Sequence, residues 1–183
     1  MPSVDGLRRC LVLGSAQCLW DDIEAALQVG EYDAVIAAKQ AGIVWPGELY
    51  AWVTLHPEWM DDYRAERSAH GYPVAQRIVA HEKGKGVDVV VAHRWPGASR
   101  CPSSGGVAVK YALEDGFGKI VMCGIPMDMR MGRIDGREGW PSAQRYLRRF
   151  EEALPYMQDK VRSMSGRTKD LLGPPTPEWL LGQ

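Results

Sequence analysis

The chain has 183 residues and a mass of 20.3 kDa, enough for one domain with a sizeable core, and its 45% hydrophobic and 25% charged content is that of a globular protein. Lys and Arg number 22 against 23 Asp and Glu, a net charge of -1, which lacks the basic excess of a nucleic-acid binder. The single local cluster of that kind, Arg145, Arg148 and Arg149, reads as the wet side of a helix.

In chain order, Leu11-Val12-Leu13 is a short apolar run closed by Gly14-Ser15-Ala16. A helical pattern follows, with Leu19, Ile23, Ala26 and Leu27 on one face and Gly30 as its stop. Ala34 to Ala38 is continuously apolar, as expected of a strand covered on both sides. Tyr50 to Leu55 is a third strand closed by His56-Pro57, and Glu58 to Ser68 reads as a charged helix. Val74 to His81 fits a strand or a short helix equally well. Asp88 to Ala92 is expected to be a strong buried strand ending at His93-Arg94-Trp95, after which a Pro, Gly and Ser loop runs from Pro96 to Gly106.

Val107 to Leu113 then continues as a helix, Gly116 and Gly118 end it, and Ile120 to Gly124 is the fifth strand. An irregular Met, Arg and Gly loop follows Pro126, and a helix is expected from about Ser142 to Leu154. The remainder, with Pro174, Pro175 and Pro177, reads as a short strand or helix and an extended tail from about 167. Strands alternating with helices give an α/β, Rossmann-like three-layer sandwich with a mostly parallel sheet of about five or six strands, in a single domain over 1–183. The tail, with Trp179, is expected to pack on a second subunit and make a homodimer.

The four cysteines, Cys10, Cys18, Cys101 and Cys123, are scattered and form no C-x-x-C pair, so buried thiols are expected and no metal site. The first residues have no apolar h-region after their arginines, and no run is long enough to cross a membrane; the expected compartment is the cytoplasm.

In open parallel sheets ligands bind beyond the carboxyl ends of the strands. That filter selects Gly14-Ser15, Lys39, His56, His93-Arg94 and Gly124 to Asp128. Gly14 lets backbone approach a ligand, although the turn is not G-x-G-x-x-G. Ser103-Ser104-Gly105-Gly106 offers two hydroxyls, two glycines and free helical amides to an anion, or serves simply as an N-cap. His56 and His93 are alternative acid/base groups, each equally explained as a structural hydrogen bond. Asp128 is the leading carboxylate for a ligand hydroxyl, and Lys39 and Arg94 can neutralise phosphate. Trp52 belongs to the core; Trp45 and Trp95 lie in loops near the expected crevice.

The segment from Ser103 through Gly116-Phe117-Gly118-Lys119-Ile120 to Gly124-Ile125-Pro126-Met127-Asp128 resembles a signature of bacterial sialyltransferases that use CMP-sialic acid. It is also similar to archaeal hydroxymethylpterin diphosphokinases and motility-accessory glycosyltransferase-like proteins, and over the whole length to phage and prophage proteins. Leu13 to Leu19 is similar to the Gly-x-Gly-Pro-Ser-Leu turn of those families. The resemblance implies a nucleotide crevice in which the Gly14 and Ser103–Gly106 turns face phosphate and sugar. Three departures accompany it: Ala16 replaces the second glycine, Lys39 replaces the usual asparagine after the second strand, and no histidine follows His93, where these sialyltransferases carry their catalytic one.

Sequence and resemblance together lead to a nucleotide- or nucleotide-sugar-binding protein of glycosyltransferase-like type, its cofactors left open. An ATP-dependent diphosphokinase-like enzyme and a non-catalytic, nucleotide-binding phage accessory protein are the alternatives.

Overall fold

A computed structural model describes residues 6–95, 100–101 and 103–183. The expected loop at 96–99 and 102, and the first five residues, lie outside them. The strands are β1 (Arg9–Leu13), β2 (Ala34–Ala38), β3 (Ala51–Thr54), β4 (Ile78–Ala80), β5 (Val89–Val90), β6 (Lys119–Cys123) and β7 (Val161–Ser163). They form one sheet in the order β5-β4-β3-β2-β1-β6-β7, and every neighbouring pair is parallel.

The helices are α1 (Leu19–Val29), α2 (Ala41–Val44), α3 (Met60–Ala69), α4 (Ser104–Glu114), α5 (Ala143–Met157), α6 (Gly166–Leu172) and α7 (Pro177–Leu180). Alternate strand residues face opposite layers. Cys10, Val12, Ile36 and Val53 pack with Val107, Tyr111 and Phe150 of α4 and α5. Leu11, Leu13, Ala37 and Trp52 pack with Leu19, Ile23, Met60 and Leu180 of α1, α3 and α7. The architecture is therefore the expected α/β, Rossmann-like three-layer sandwich, with seven strands instead of five or six.

The additional strands have identifiable causes. β4 is the Val74–His81 segment whose pattern left helix and strand open, and Ile78 pairs beside Trp52. β7 lies in the polar stretch after α5 and pairs with β6 through Ile120 and Val161. The strand expected at Asp88–Ala92 is shorter and less buried than its apolar run suggested. Only Val89 and Val90 pair with β4, and Val90 is 49% exposed because β5 is the sheet edge. The region expected to be an extended tail instead carries α6 and α7. Leu180 is buried against Gly30, and its carbonyl accepts from the buried Arg9 Nε at 2.9 Å. Trp179 also works within the chain, donating from Nε1 to the Asp159 carbonyl at 2.8 Å and lying under the Lys119 ammonium.

Arg67, which no sequence signal marks as a core residue, is 2% exposed. Its guanidinium donates to the carbonyls of Pro73, Gly42, Trp45 and Gly47 at 2.6–2.7 Å, tying α3 to the loop after α2. Among the described residues no helix is long and apolar enough to cross a membrane.

Candidate functional site

Chain order runs outward from β1 to β5 and then returns to the far side of β1 as β6. The strand order thus reverses between β1 and β6, and crevices form beyond the carboxyl ends of such a pair. The two strand ends meet closely. Gly14 N–H donates to the Cys123 carbonyl at 2.8 Å and Ala16 N–H to the Gly124 carbonyl at 3.1 Å. A Cβ on Gly14 would overlap the Gly124 carbonyl oxygen and the Ile125 side chain. Gly124, at φ 67°, is pressed against the Gly14 carbonyl in turn. These glycines are required by each other's backbone, so Gly124 shapes the floor without lining the crevice.

Above that floor is a cavity of about 170 Å³. Gly14 and Ser15 follow β1, Lys39 follows β2, and His56 follows β3. Ser103, Ser104 and Gly105 come from the start of α4, and Arg133, Trp140 and Tyr146 form the far wall. Ser103 is an N-cap in extended conformation whose Oγ accepts from Gly106 N–H at 3.3 Å. Gly106 is therefore spent inside the cap, while the first-turn amides have no intrahelical carbonyl to reach. Ser104 Oγ accepts from Leu55 N–H at 3.2 Å, which fixes α4 to the end of β3.

Lys39 adopts φ 51°, a left-handed conformation more natural to glycine or asparagine. Two contacts hold it there: its N–H reaches the Val53 carbonyl at 3.0 Å, and its carbonyl accepts from Trp52 Nε1 at 2.7 Å. An asparagine would suit that backbone; lysine keeps the turn and adds a charge. Burial, with Arg133 and Arg137 nearby, holds the Lys39 ammonium below the usual lysine pKa. Its Nζ lies 5.2 Å from the centre of the Trp59 ring.

His56 stacks on Trp59 with centroids 4.1 Å apart, and its Nδ1 is 3.0 Å from Glu58 Oε1. Glu58's carboxyl lies below its usual pKa, first through its own backbone N–H and next through His56. The pairing fixes the ring and leaves Nε2 as the imidazole's other proton site.

The far wall is held by the segment after β6. Gln17 N–H donates to the Gly132 carbonyl at 2.9 Å and Ile134 N–H to the Ser15 carbonyl at 3.0 Å. Ala16 and Arg133 form an antiparallel bridge. The Arg133 guanidinium lies 5.2 Å from the Trp140 ring centre, and Trp140 meets Tyr146 edge-on at 6.2 Å. Sequence reasoning does not select Arg133, Trp140 or Tyr146: Arg133 is one of three arginines in the Met, Arg and Gly loop, Trp140 is that loop's one aromatic, and Tyr146 lies on α5.

Several residues selected at strand ends lie elsewhere. His93 Nε2 is 3.0 Å from the Cys101 carbonyl and its ring is 5.5 Å from that of His81, away from the crevice lining; burial lowers its pKa. Arg94 pairs with Arg100 in a backbone bridge. Asp128 Oδ1 accepts from Arg130 N–H at 2.9 Å and lines a different cavity on the α5 side of Met127. Trp45 stacks on Trp20 and Trp95 on Tyr156, so neither lines the crevice. Cys10, Cys101 and Cys123 are buried, and burial pushes the Cys101 thiol up to about 12. Cys18 is partly buried beside Ser165, its Sγ 3.2 Å from the hydroxyl oxygen. Among the described residues no group of three or more His, Cys, Asp or Glu side chains is placed to hold a metal ion.

No protein-family model and no curated protein sequence matches the chain. Solved structures do. The monofunctional sialyltransferase Cst-I of Campylobacter jejuni superposes with TM-score 0.63 at 11% identity, over 98% of this chain and 84% of that one. The sialyltransferase CstII of the same organism, in complex with cytidine monophosphate, superposes with TM-score 0.62 at 10% identity, over 93% and 86%. CstII with CMP-3FNeuAc gives 0.58 at 12% identity, over 92% and 86%. At such identity the likeness is one of fold.

Proposed function

We propose that the crevice above the β1–β6 reversal binds a nucleotide or nucleotide sugar, with a cytidine monophosphate sugar as first candidate, and supports glycosyl transfer. The observation that carries this reading is the crevice's charge. Lys39 and Arg133 face the start of α4, whose first-turn amides and dipole favour an anion, and no carboxylate lines the cavity among the described residues. Trp140 and Tyr146 provide an aromatic edge for a base or sugar. The CMP and CMP-3FNeuAc held by the Campylobacter neighbours motivate the choice of cytidine.

In this reading the phosphate sits over the Ser103–Gly105 turn and Lys39. The bond from the sugar's anomeric carbon to the phosphate oxygen breaks, and the bond to an acceptor hydroxyl oxygen forms. The acceptor proton passes to His56, the only imidazole among the described lining residues, and the electron pair of the broken bond leaves on the phosphate oxygen, whose charge Lys39, Arg133 and the α4 amides balance. His56 thereby takes the base role that the resemblance assigns to a later histidine.

Calorimetric titration with CMP, CMP sugars, UDP, GDP and ATP tests the reading. Saturable binding of CMP or a CMP sugar is expected, and no binding at millimolar ligand would sink it. Metal-dependent ATP turnover would favour the diphosphokinase alternative, and binding without turnover the non-catalytic one.

A further inference from the structure

A second cavity, of about 330 Å³, opens on the other side of the segment that forms the crevice's far wall. The two share their partition: Ile125 and Tyr146 face the crevice, while Met127 and Leu147, two residues and one residue further on, face the second cavity. Three guanidiniums line it, from Arg130 after β6, Arg148 on α5 and Arg167 on α6. Arg130 and Arg148 have no carboxylate within ion-pair distance among the described residues, and Arg167 has only Asp170 at 3.8 Å. Against these three cations the lining sets the carboxylates of Asp128 and Glu151, an excess of one positive charge, and neither carboxylate is ion-paired to Arg130 or Arg148 among the described residues.

Its other lining distinguishes a sugar from a bare anion. Asp128 and Glu151 contribute carboxylates that accept hydrogen bonds from hydroxyls but repel a naked anion, and Gln144 both donates and accepts. Met127 and Leu147 supply apolar surface for the carbon face of a pyranose. Few ligands present an acid group, several hydroxyls and an apolar face together.

We infer that this cavity binds an acidic sugar, its carboxylate or phosphate held by Arg130, Arg148 and Arg167 and its hydroxyls by Asp128, Glu151 and Gln144. Its role as an acceptor subsite rests on the transferase reading above; the binding itself does not.

Amide-resolved NMR titration of the full chain with D-glucuronate, D-glucose 6-phosphate, D-glucose and inorganic phosphate tests the inference. Saturable shifts confined to 127–130, 144–151 and the start of α6 around Arg167 are expected with glucuronate or the sugar phosphate, the tighter of the two identifying the acid group. Arg130→Ala and Arg148→Ala should each weaken that binding roughly tenfold or more, the loss of a charge-assisted hydrogen bond. Both variants should titrate CMP as the parent protein does, which separates failure here from failure of the nucleotide reading. Equal response to glucose, equal or tighter binding of inorganic phosphate, or undiminished binding in both arginine variants would overturn it.

Discussion

Two residues at the β1–β6 reversal carry opposite lessons. Gly14 was selected because glycine admits a ligand, yet what it admits is the Gly124 carbonyl. Gly14→Ala is therefore expected to destabilise the fold by about 1–3 kcal/mol through overpacking, and by more if the strand ends cannot part. Chemical denaturation measures the loss, and an unchanged midpoint would contradict the contact. Asp22 lies off the apolar face that Leu19, Ile23 and Ala26 define on α1, yet it is only 6% exposed. Its carboxylate accepts from Gly124 N–H at 2.8 Å and from Ser165 Oγ–H at 2.7 Å, and no ion pair to it occurs among the described residues. Burial raises its pKa above the ordinary 3.8, so folding favours the protonated acid. Its contribution is fully present below the unfolded pKa and is lost as pH rises through the higher folded one. Asp22→Asn keeps an acceptor for Gly124 and removes the charge. Its stability relative to the parent should therefore rise as pH climbs from about 4 into the neutral range, which paired denaturation curves at several pH values would show.

Among elements, the apolar strands β1, β2, β3 and β6 were legible because both their faces are covered, which produces uninterrupted hydrophobic runs. β4 and β7 are three residues each and were not, since a run that short has no period to read. β5 was overread for a related reason: an apolar run records hydrophobicity, not the number of neighbouring strands. The last helix was missed because prolines around it suggest an extended chain, whereas Pro177 occupies its first turn and the Thr176 hydroxyl caps it, accepting from Trp179 N–H at 3.2 Å. Deleting residues 174–183 should consequently cost stability rather than trim a loose end. Exposing the Leu180 site and removing the Leu180 carbonyl from Arg9 Nε amounts to about 2–5 kcal/mol. A thermal midpoint within a degree of the full chain would show that α7 contributes nothing.

At the scale of the molecule, three elements far apart in sequence put His56, Lys39 and the Ser103 turn around one cavity, and a fourth segment closes it with Arg133 and Trp140. That assembly makes the roles of binding and chemistry separable. On the transferase reading proposed above, His56→Gln is expected to leave CMP affinity within a few-fold of the parent protein while lowering glycosyl transfer about 10²- to 10⁴-fold, as loss of a general base does. Calorimetry beside a CMP-release assay reads both quantities. A matched fall in affinity would instead make His56 a ligand-binding residue, and unchanged turnover would remove it from the chemistry.

The sequence by itself determined the layer architecture, because covered strands and helix-spaced apolar residues leave a periodic trace. It also selected Gly14, Ser15, Lys39, His56 and the Ser103–Gly105 turn, which line one cavity, because all of them end strands or begin a helix at one edge of a parallel sheet. Only the tertiary structure decided which strand ends share a cavity. That depends on strand order, and the reversal at β1 places β6 beside it while carrying β5, with His93 and Arg94, to the far edge. Local sequence records how each strand is buried, but not which strand lies next to it.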